Sequence, residues 1–204
     1  VEIVMNKYKN YWFVSILAVL VLFLGGCSKE NISKTHFVGE IFGGGIIVEV
    51  VKNSQGEEHG IIASLTDVAV KSLWSVTGPN GAIVTNANST TDGKANCQAI
   101  KLTLGFAGTA CNACLDFKDG GNNDWYLPST IELFKLFQNQ NIINQILEND
   151  GNILTMPISA ERYWTSTELD GGSSAAYTVN MLNGQILYFS KSGDALRIRA
   201  IRRF

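Results

Sequence analysis

The chain has 204 residues, a formal net charge of −2, 46% hydrophobic residues and 17% charged residues. That length and composition fit a single domain with a sizeable core. The mild acidity argues against a nucleic-acid partner, which calls for a basic footprint.

Met5 reads as the start of translation, with residues 1–4 an artefact or an upstream extension. Lys7 and Lys9 then precede Phe13–Leu24, a run in which Ser15 is the sole polar residue. The run is shorter than the roughly 20 residues a spanning helix needs, but it suits the apolar region of a leader peptide. It ends in Leu24-Gly25-Gly26-Cys27, which resembles the lipobox of bacterial lipoproteins. Residues 1–26 are therefore expected to be a leader, Cys27 the lipid-bearing mature terminus, and 27–36 a tether ahead of a domain over 37–204. Loss of the leader removes Lys7, Lys9 and Glu2 and makes the balance one unit more negative. Ser28-Lys29-Glu30 partly resembles the export tag that carries some lipoproteins to the cell surface, with a single acidic residue after Lys29.

Gly45–Val51 and Gly60–Leu65 are β-rich runs separated by Lys52-Asn-Ser-Gln-Gly56, the pattern of a hairpin. Gly43-Gly44-Gly45 is expected to be a bend before an edge strand, because no helix and no Gly-Lys-Ser/Thr follows it. Trp74 reads as core. Gly78–Thr91 reads as a long surface loop, after which Asp92 can cap a helix through about Leu102.

A second short helix is expected over Ala110–Phe117. Cys111-Asn-Ala-Cys114 has redox-motif spacing without a βαβ pattern around it, and a zinc site would need a fourth ligand. A structural disulfide is the better reading in an oxidising compartment. Cys97 is expected to pair with Cys114, with Cys111 as the second choice. Asp116–Asp124 offers hard oxygen ligands, but its spacing is not that of an EF-hand, and Asx and Gly are also turn residues. No cofactor is expected.

Ser129 and Glu132 have the spacing of a capping box, and Leu133, Leu136 and Phe137 give the following helix one apolar face. Ile142, Ile143, Ile146 and Leu147 suggest a further short helix ending at Gly151-Asn152. From Tyr163 the chain is expected to be all β. A two-residue turn at Asn183-Gly184 would pair Leu182 with Gln185, Asn180 with Leu187 and Thr178 with Phe189. Those six share one face, and Tyr177, Val179, Met181, Ile186, Tyr188 and Ser190 form the other, the better core face. The last strand is expected over Leu196–Arg202.

Several of these segments occur together in a familiar order: Gly44-Gly45-Ile-Ile-Val, His59-Gly60-Ile-Ile-Ala-Ser-Leu and Leu73-Trp74-Ser75 come first. Asp124-Trp-Tyr-Leu-Pro-Ser-Thr-Ile-Glu-Leu133, Tyr163-Trp-Thr-Ser-Thr-Glu168 and Ile198-Arg-Ala-Ile-Arg202 follow. From about Phe37 to Phe204 the chain resembles the bacterial family named for the C-terminal domain of the Lcl collagen-like adhesin. The resemblance implies an α+β fold similar to C-type lectins and to the formylglycine-generating-enzyme group, with short helices and a C-terminal antiparallel meander. It also implies a secreted or lipid-anchored protein, in a family whose namesake domain is associated with adhesion to sulfated glycans. The family has no agreed catalytic residues to carry over, and the chain lacks the Glu-Pro-Asn and Trp-Asn-Asp calcium motifs of sugar-binding C-type lectins.

The expected function is a non-catalytic envelope binding module, anchored through Cys27 and facing a glycan or a host or envelope protein, at the outer membrane. Thr178, Asn180, Leu182, Gln185, Leu187 and Phe189 are its candidate ligand face, an apolar strip rimmed by polar groups. A structural envelope lipoprotein without a soluble ligand is the alternative. A hydrolase built on two carboxylates from Glu132, Glu168 and Asp170 is a distant third. Arg199 is expected to be structural, with Glu168 as its partner.

Overall fold

A computed structural model describes residues 35–76, 85–169 and 174–204. The expected leader, Cys27, most of the tether, the first part of the Gly78–Thr91 loop and Asp170 lie outside the described residues. Thr35–Phe204 forms one compact unit. Among the described residues no helix is long and apolar enough to cross a membrane.

The first sheet has four strands in the order β1-β2-β3-β9: Ile41–Phe42, Gly45–Lys52, Glu58–Ser64 and Ile201–Arg203. The expected hairpin is β2 and β3, paired antiparallel from Gly45↔Ser64 to Lys52↔Glu58. Its turn is closed by Asn53, whose Oδ1 accepts the Gln55 and Glu57 amides at 3.0 and 2.9 Å. Gly43 and Gly44 turn the chain with φ of 57° and 81°. The turn joins β1 to β2, so β1 is the edge strand and β2 is interior. A Cβ added at Gly120 would lie 2.2 Å from the Gly44 Cα, so two glycine turns meet backbone to backbone. Asn122 Nδ2 donates to the Gly43 carbonyl at 2.7 Å and pins them together.

Five strands form the second sheet in the order β4-β8-β5-β6-β7: Ala69–Ser72, Leu196–Ile198, Arg162–Glu168, Ala175–Asn180 and Ile186–Ser190. The strand expected over Leu196–Arg202 is divided between the two sheets. β8 ends at Ile198 in one, β9 begins at Ile201 in the other, and Arg199-Ala200 is the crossing. The crossing is held because Val68 N donates to Ile198 O and Ser64 N to Ala200 O, each at 2.9 Å.

Among the described residues three α-helices pack against the sheets: α1 (Gly93–Leu104), α2 (Thr109–Asp116) and α3 (Thr130–Asn149). Asp92 caps α1 by accepting the Ala95 amide, and α3 begins with the Ser129–Glu132 capping box. The separate helix expected at Ile142–Leu147 is the continuation of α3. Its polar middle looks like a break in sequence, but the amide side chains bind the sheets. Asn139 Nδ2 donates to Val48 O, Gln140 Nε2 to Met181 O, and Asn144 exchanges two bonds with the Ile158 backbone. Trp74, Trp125, Tyr126, Tyr163 and Trp164 fill the core with less than 2% of their surface exposed.

The β6–β7 hairpin differs from its expected register. Thr178 pairs with Leu187 and Ala176 with Phe189, and the connection is four residues, Met181–Gly184. Asn180 O accepts the Asn183 and Gly184 amides, while Asn180 Oδ1 accepts Leu182 N. That Asx-type closure favours the longer loop over the tight Asn-Gly turn. The slip is two residues, so the side chains that stay in the strands keep their faces, while Met181 and Leu182 pass into the loop.

Candidate functional site

The two most specific sequence motifs meet in space. Between Trp164 and Glu168 strand β5 loses register with β6, which frees Thr165-Ser166-Thr167 to turn toward the start of α3. Ser166 N donates to Pro128 O at 2.7 Å, and Thr130 N to Thr167 Oγ1 at 3.1 Å. Thr167 Oγ1 in turn donates to Ser89 O, and Glu168 N to Ala87 O, so the 85–92 loop is stitched to the same point.

Both glutamates of these motifs are buried and fully engaged. Glu132 Oε2 accepts the Gly93 and Ser129 amides and the Ser129 hydroxyl. Its Oε1 accepts Tyr126 OH and the Arg203 guanidinium. One carboxylate thus serves the N-termini of α1 and α3 together, where helix dipoles favour negative charge. A Cβ at Gly93 would sit 2.5 Å from Leu127 O and 2.7 Å from Glu132 Oε2, so this convergence needs glycine. Burial pushes the Tyr126 hydroxyl well above its usual range, and the Glu132 charge adds to that. Glu168 Oε2 accepts Thr85 N and Oγ1 at 2.8 and 2.9 Å, and its Oε1 pairs with the buried Lys191 ammonium. That ammonium also lies 4.8 Å from the Trp74 ring centre, a cation–π contact. Glu132 and Glu168 are therefore structural carboxylates in this arrangement, each with its oxygens already occupied.

Arg199 is not paired with Glu168 as expected. Its Nη1 meets Asp67 Oδ1 at 3.0 Å, and Nη2 donates to Met156 O at 2.8 Å. The reason is topological, because the strand switch points Arg199 inward beside the β3–β4 connection. Asp67 also accepts Arg197 and Tyr163 OH. Nothing in the Leu65-Thr66-Asp67 segment marks that carboxylate in sequence.

Asp124, expected as a calcium-ligand candidate or a turn residue, receives a two-pronged bond from Arg202 at 2.7 and 3.1 Å. Asp119 accepts the Gly120 amide and closes its own turn. Among the described residues no group of three or more His, Cys, Asp or Glu side chains is placed to hold a metal ion. The Arg202 guanidinium holds the Asp124 carboxyl below the ordinary carboxylate range. A depressed carboxyl stabilises the fold above its unfolded pKa and loses that contribution as pH falls through the folded value. Because Asp124 is partly exposed, the contribution is under about 1 kcal/mol. An Arg202→Ala variant is expected to raise the Asp124 titration toward the ordinary range, read by carboxyl NMR. An unmoved titration would mean that the pair does not hold.

Two depressions are lined by described residues alone. The larger, about 440 Å³, lies beside β2, β3 and the start of α3. Its charges are internally paired: Lys135 with Glu49 at 2.6 Å and Arg203 with Glu132 at 2.7 Å. His59 lies on its rim near Asn53, whereas His36 is bonded to Glu40 and packed on Phe42. The smaller, about 160 Å³, lies over the second sheet and is lined by Asn88, Thr90, Thr130, Thr167, Glu168, Tyr177 and Ile186. It opens on the face of β6–β7 expected to be core.

The six candidate ligand residues do not form one surface. Thr178 is fully buried and donates to Leu187 O; Asn180 closes the hairpin loop; Phe189 is half-buried under the Arg162 guanidinium. Leu182, Gln185 and Leu187 are exposed. The physical reason is that β7 is the sheet edge, so neither of its faces is covered along its length. Tyr188, placed on the supposed core face, is 59% exposed and stands edge-on to Tyr177. Leu182, Ile186, Leu187 and Tyr188 together give this edge its apolar character, and the polar recess adjoins it. Period-2 alternation sorted the strand residues between two faces but not Met181 and Leu182 of the loop, and it contained no signal for an edge strand.

The three cysteines of the described domain are buried thiols. Cys97 meets Cys111, not the expected Cys114, with the sulfurs 2.7 Å apart. Cys111 lies in the first turn of α2, directly opposite the middle of α1, and Cys114 falls one turn further on.

The family described as the Lcl C-terminal domain matches residues 64–202. No curated protein matches the chain. Among solved structures, the chain is similar to a fimbrial protein from Bacteroides ovatus ATCC 8483, with a TM-score of 0.54 and 18% identity over 77% of this chain. The chain spans 43% of that protein's length. At this identity the likeness speaks for the fold.

Proposed function

The chain belongs to the Lcl C-terminal domain family, and from that premise we propose that it is a non-catalytic adhesion module of the cell envelope. In this reading lipid on Cys27 anchors it to the outer membrane, and the domain faces a glycan or protein ligand. The fold is taken as C-type-lectin-like, with β5–β6–β7 as its antiparallel meander. Support comes from the leader pattern ending in Leu24-Gly-Gly-Cys27 and from the structural likeness to a fimbrial protein.

The observation that carries the reading is the β7 edge. Leu182 and Tyr188 are 69% and 59% exposed there, beside a recess whose polar lining is hydroxyls, an amide and the Glu168 carboxylate. Aromatic and aliphatic surface next to hydroxyl and amide groups suits a sugar ring or a polypeptide segment, and contiguous exposed apolar surface marks interaction sites. The occupied state of Glu132 and Glu168 favours binding over carboxylate chemistry.

The test is a screen of the protein against a glycan array and immobilised host-surface proteins, repeated with Ile186→Ser/Tyr188→Ser. Both side chains are exposed, so the double variant should melt within a few degrees of the parent. Its attachment to whatever the parent binds should fall at least about tenfold, the loss of roughly 1.4 kcal/mol. A variant that binds like the parent would move the site elsewhere. A parent that binds nothing on either array would favour the structural envelope lipoprotein.

A further inference from the structure

We propose that Cys97 and Cys111 are joined by a disulfide bond in the exported protein, and that Cys114 remains a buried thiol. The two sulfurs are 2.7 Å apart, so reaching the bonded separation of about 2.0 Å needs a movement of roughly 0.7 Å. Both side chains are already aimed at each other from helices fixed by the rest of the fold. Cys97 sits in the middle of α1, with Leu127 O at 3.8 Å on its other side, and Cys111 opens α2. The intervening turn, Gly105–Ala107, carries Phe106 almost wholly in solvent, so the turn itself adds little packing between the two helices. A covalent link adds to the buried contacts of Cys97, Ile100, Ala110 and Cys111 in the core.

The chemistry balances by thiol–disulfide exchange. An external disulfide donor takes up both electrons and both protons and leaves as two thiols, while the Cys97 and Cys111 sulfurs form one bond. Burial pushes the Cys111 and Cys114 thiols well above their usual range, and the Cys97 contact adds to the effect at Cys111. The attacking species is the thiolate, so exchange must occur before α1 and α2 close over the sulfurs. Once closed, the bond is shielded from reductant, and Cys114 is too buried to exchange with it. Cys97 shares α1 with Asn96, whose side chain makes two bonds with the Ser89 backbone and donates a third to the Ser166 hydroxyl. The link therefore steadies the loop that carries Asn88 and Thr90 to the recess. It rests on the envelope reading only for the supply of the oxidant.

Two samples of the full chain decide it. One is unfolded, reduced, then refolded in detergent with a reduced and oxidised glutathione mixture. The other is exported by a bacterial host through its own leader, with fatty acid on Cys27 measured in the same preparation. Free thiols are blocked under denaturing conditions and peptides are mapped without reduction. The expected result in both is one linked pair, Cys97 with Cys111, and a blocked Cys114. Reduction should lower the melting midpoint by about 6–12 °C, given the sequence separation of 14 residues. A refolded chain with Cys97 blocked, or linked to Cys114, overturns the proposal, as does a lipidated exported chain lacking the link. A refolded chain with the link, beside a cellular chain with neither link nor fatty acid, overturns the envelope reading alone.

Discussion

Glu132→Ala is expected to destabilise the domain by about 3–5 kcal/mol, the range for removing one partner from a buried charged cluster. The carboxylate is 2% exposed and accepts bonds from Gly93 N, Ser129 N, Ser129 Oγ, Tyr126 OH and Arg203. Arg203 is partly exposed and can return to water. The two amides and the phenol cannot, and each is left unsatisfied inside the protein at about 1–3 kcal/mol. Glu132→Gln keeps the volume but turns one acceptor into a donor facing other donors, so it should fall between parent and alanine. Urea unfolding with matched m-values is the measurement. An alanine variant within about 1 kcal/mol of the parent would refute the claim that this carboxylate ties two helix starts together.

Arg199→Ala should have a comparable effect, about 3–5 kcal/mol, by a different route. The Arg199 and Asp67 side chains are each 0% exposed, and the guanidinium also satisfies Met156 O. Removal leaves the Met156 carbonyl without this donor and opens a hole at the point where the chain crosses from one sheet to the other. Asp67 keeps Arg197 and Tyr163 as donors, which limits the loss on its side. Asp67→Ala should therefore be the worse variant, because Arg199 then stays buried with no carboxylate. For a domain of this size each kcal/mol corresponds to about 2–4 °C, so thermal melts resolve the order. If Arg199→Ala melts like the parent, or Asp67→Ala proves the milder, the pair does not hold the crossing.

Much of the local architecture was legible in order along the chain. The β2–β3 hairpin follows from two apolar runs around the Lys52-Asn-Ser-Gln-Gly56 turn, and the starts of α1 and α3 follow from Asp92 and from the Ser129–Glu132 spacing. These features are decided within about four residues, where backbone preferences and side-chain caps act directly. The length of α3 was missed because its middle, Gln138-Asn-Gln-Asn141, is held by bonds to the Val48 and Met181 backbones, far away in sequence. The hairpin register slipped because Asn180 closes a four-residue loop, a choice in which the Asn-Gly signal competes with another asparagine.

By itself, the sequence determined the α+β class, the helix starts, the division of β6–β7 into two faces and the family to which the chain belongs. Each of these depends on short-range pattern or on motif order. The tertiary structure alone decided which charges pair, which cysteines meet and which strand lies at an edge. Asp67 and Arg199 are 132 residues apart, and Glu132 meets Gly93 across 39. No local preference encodes such pairs: a buried charge takes whichever partner the packed sheets and helices bring within hydrogen-bond reach. The binding edge is of the same kind. An alternating strand buries one face only if another layer covers it, and β7 is exposed because nothing among the described residues packs outside it.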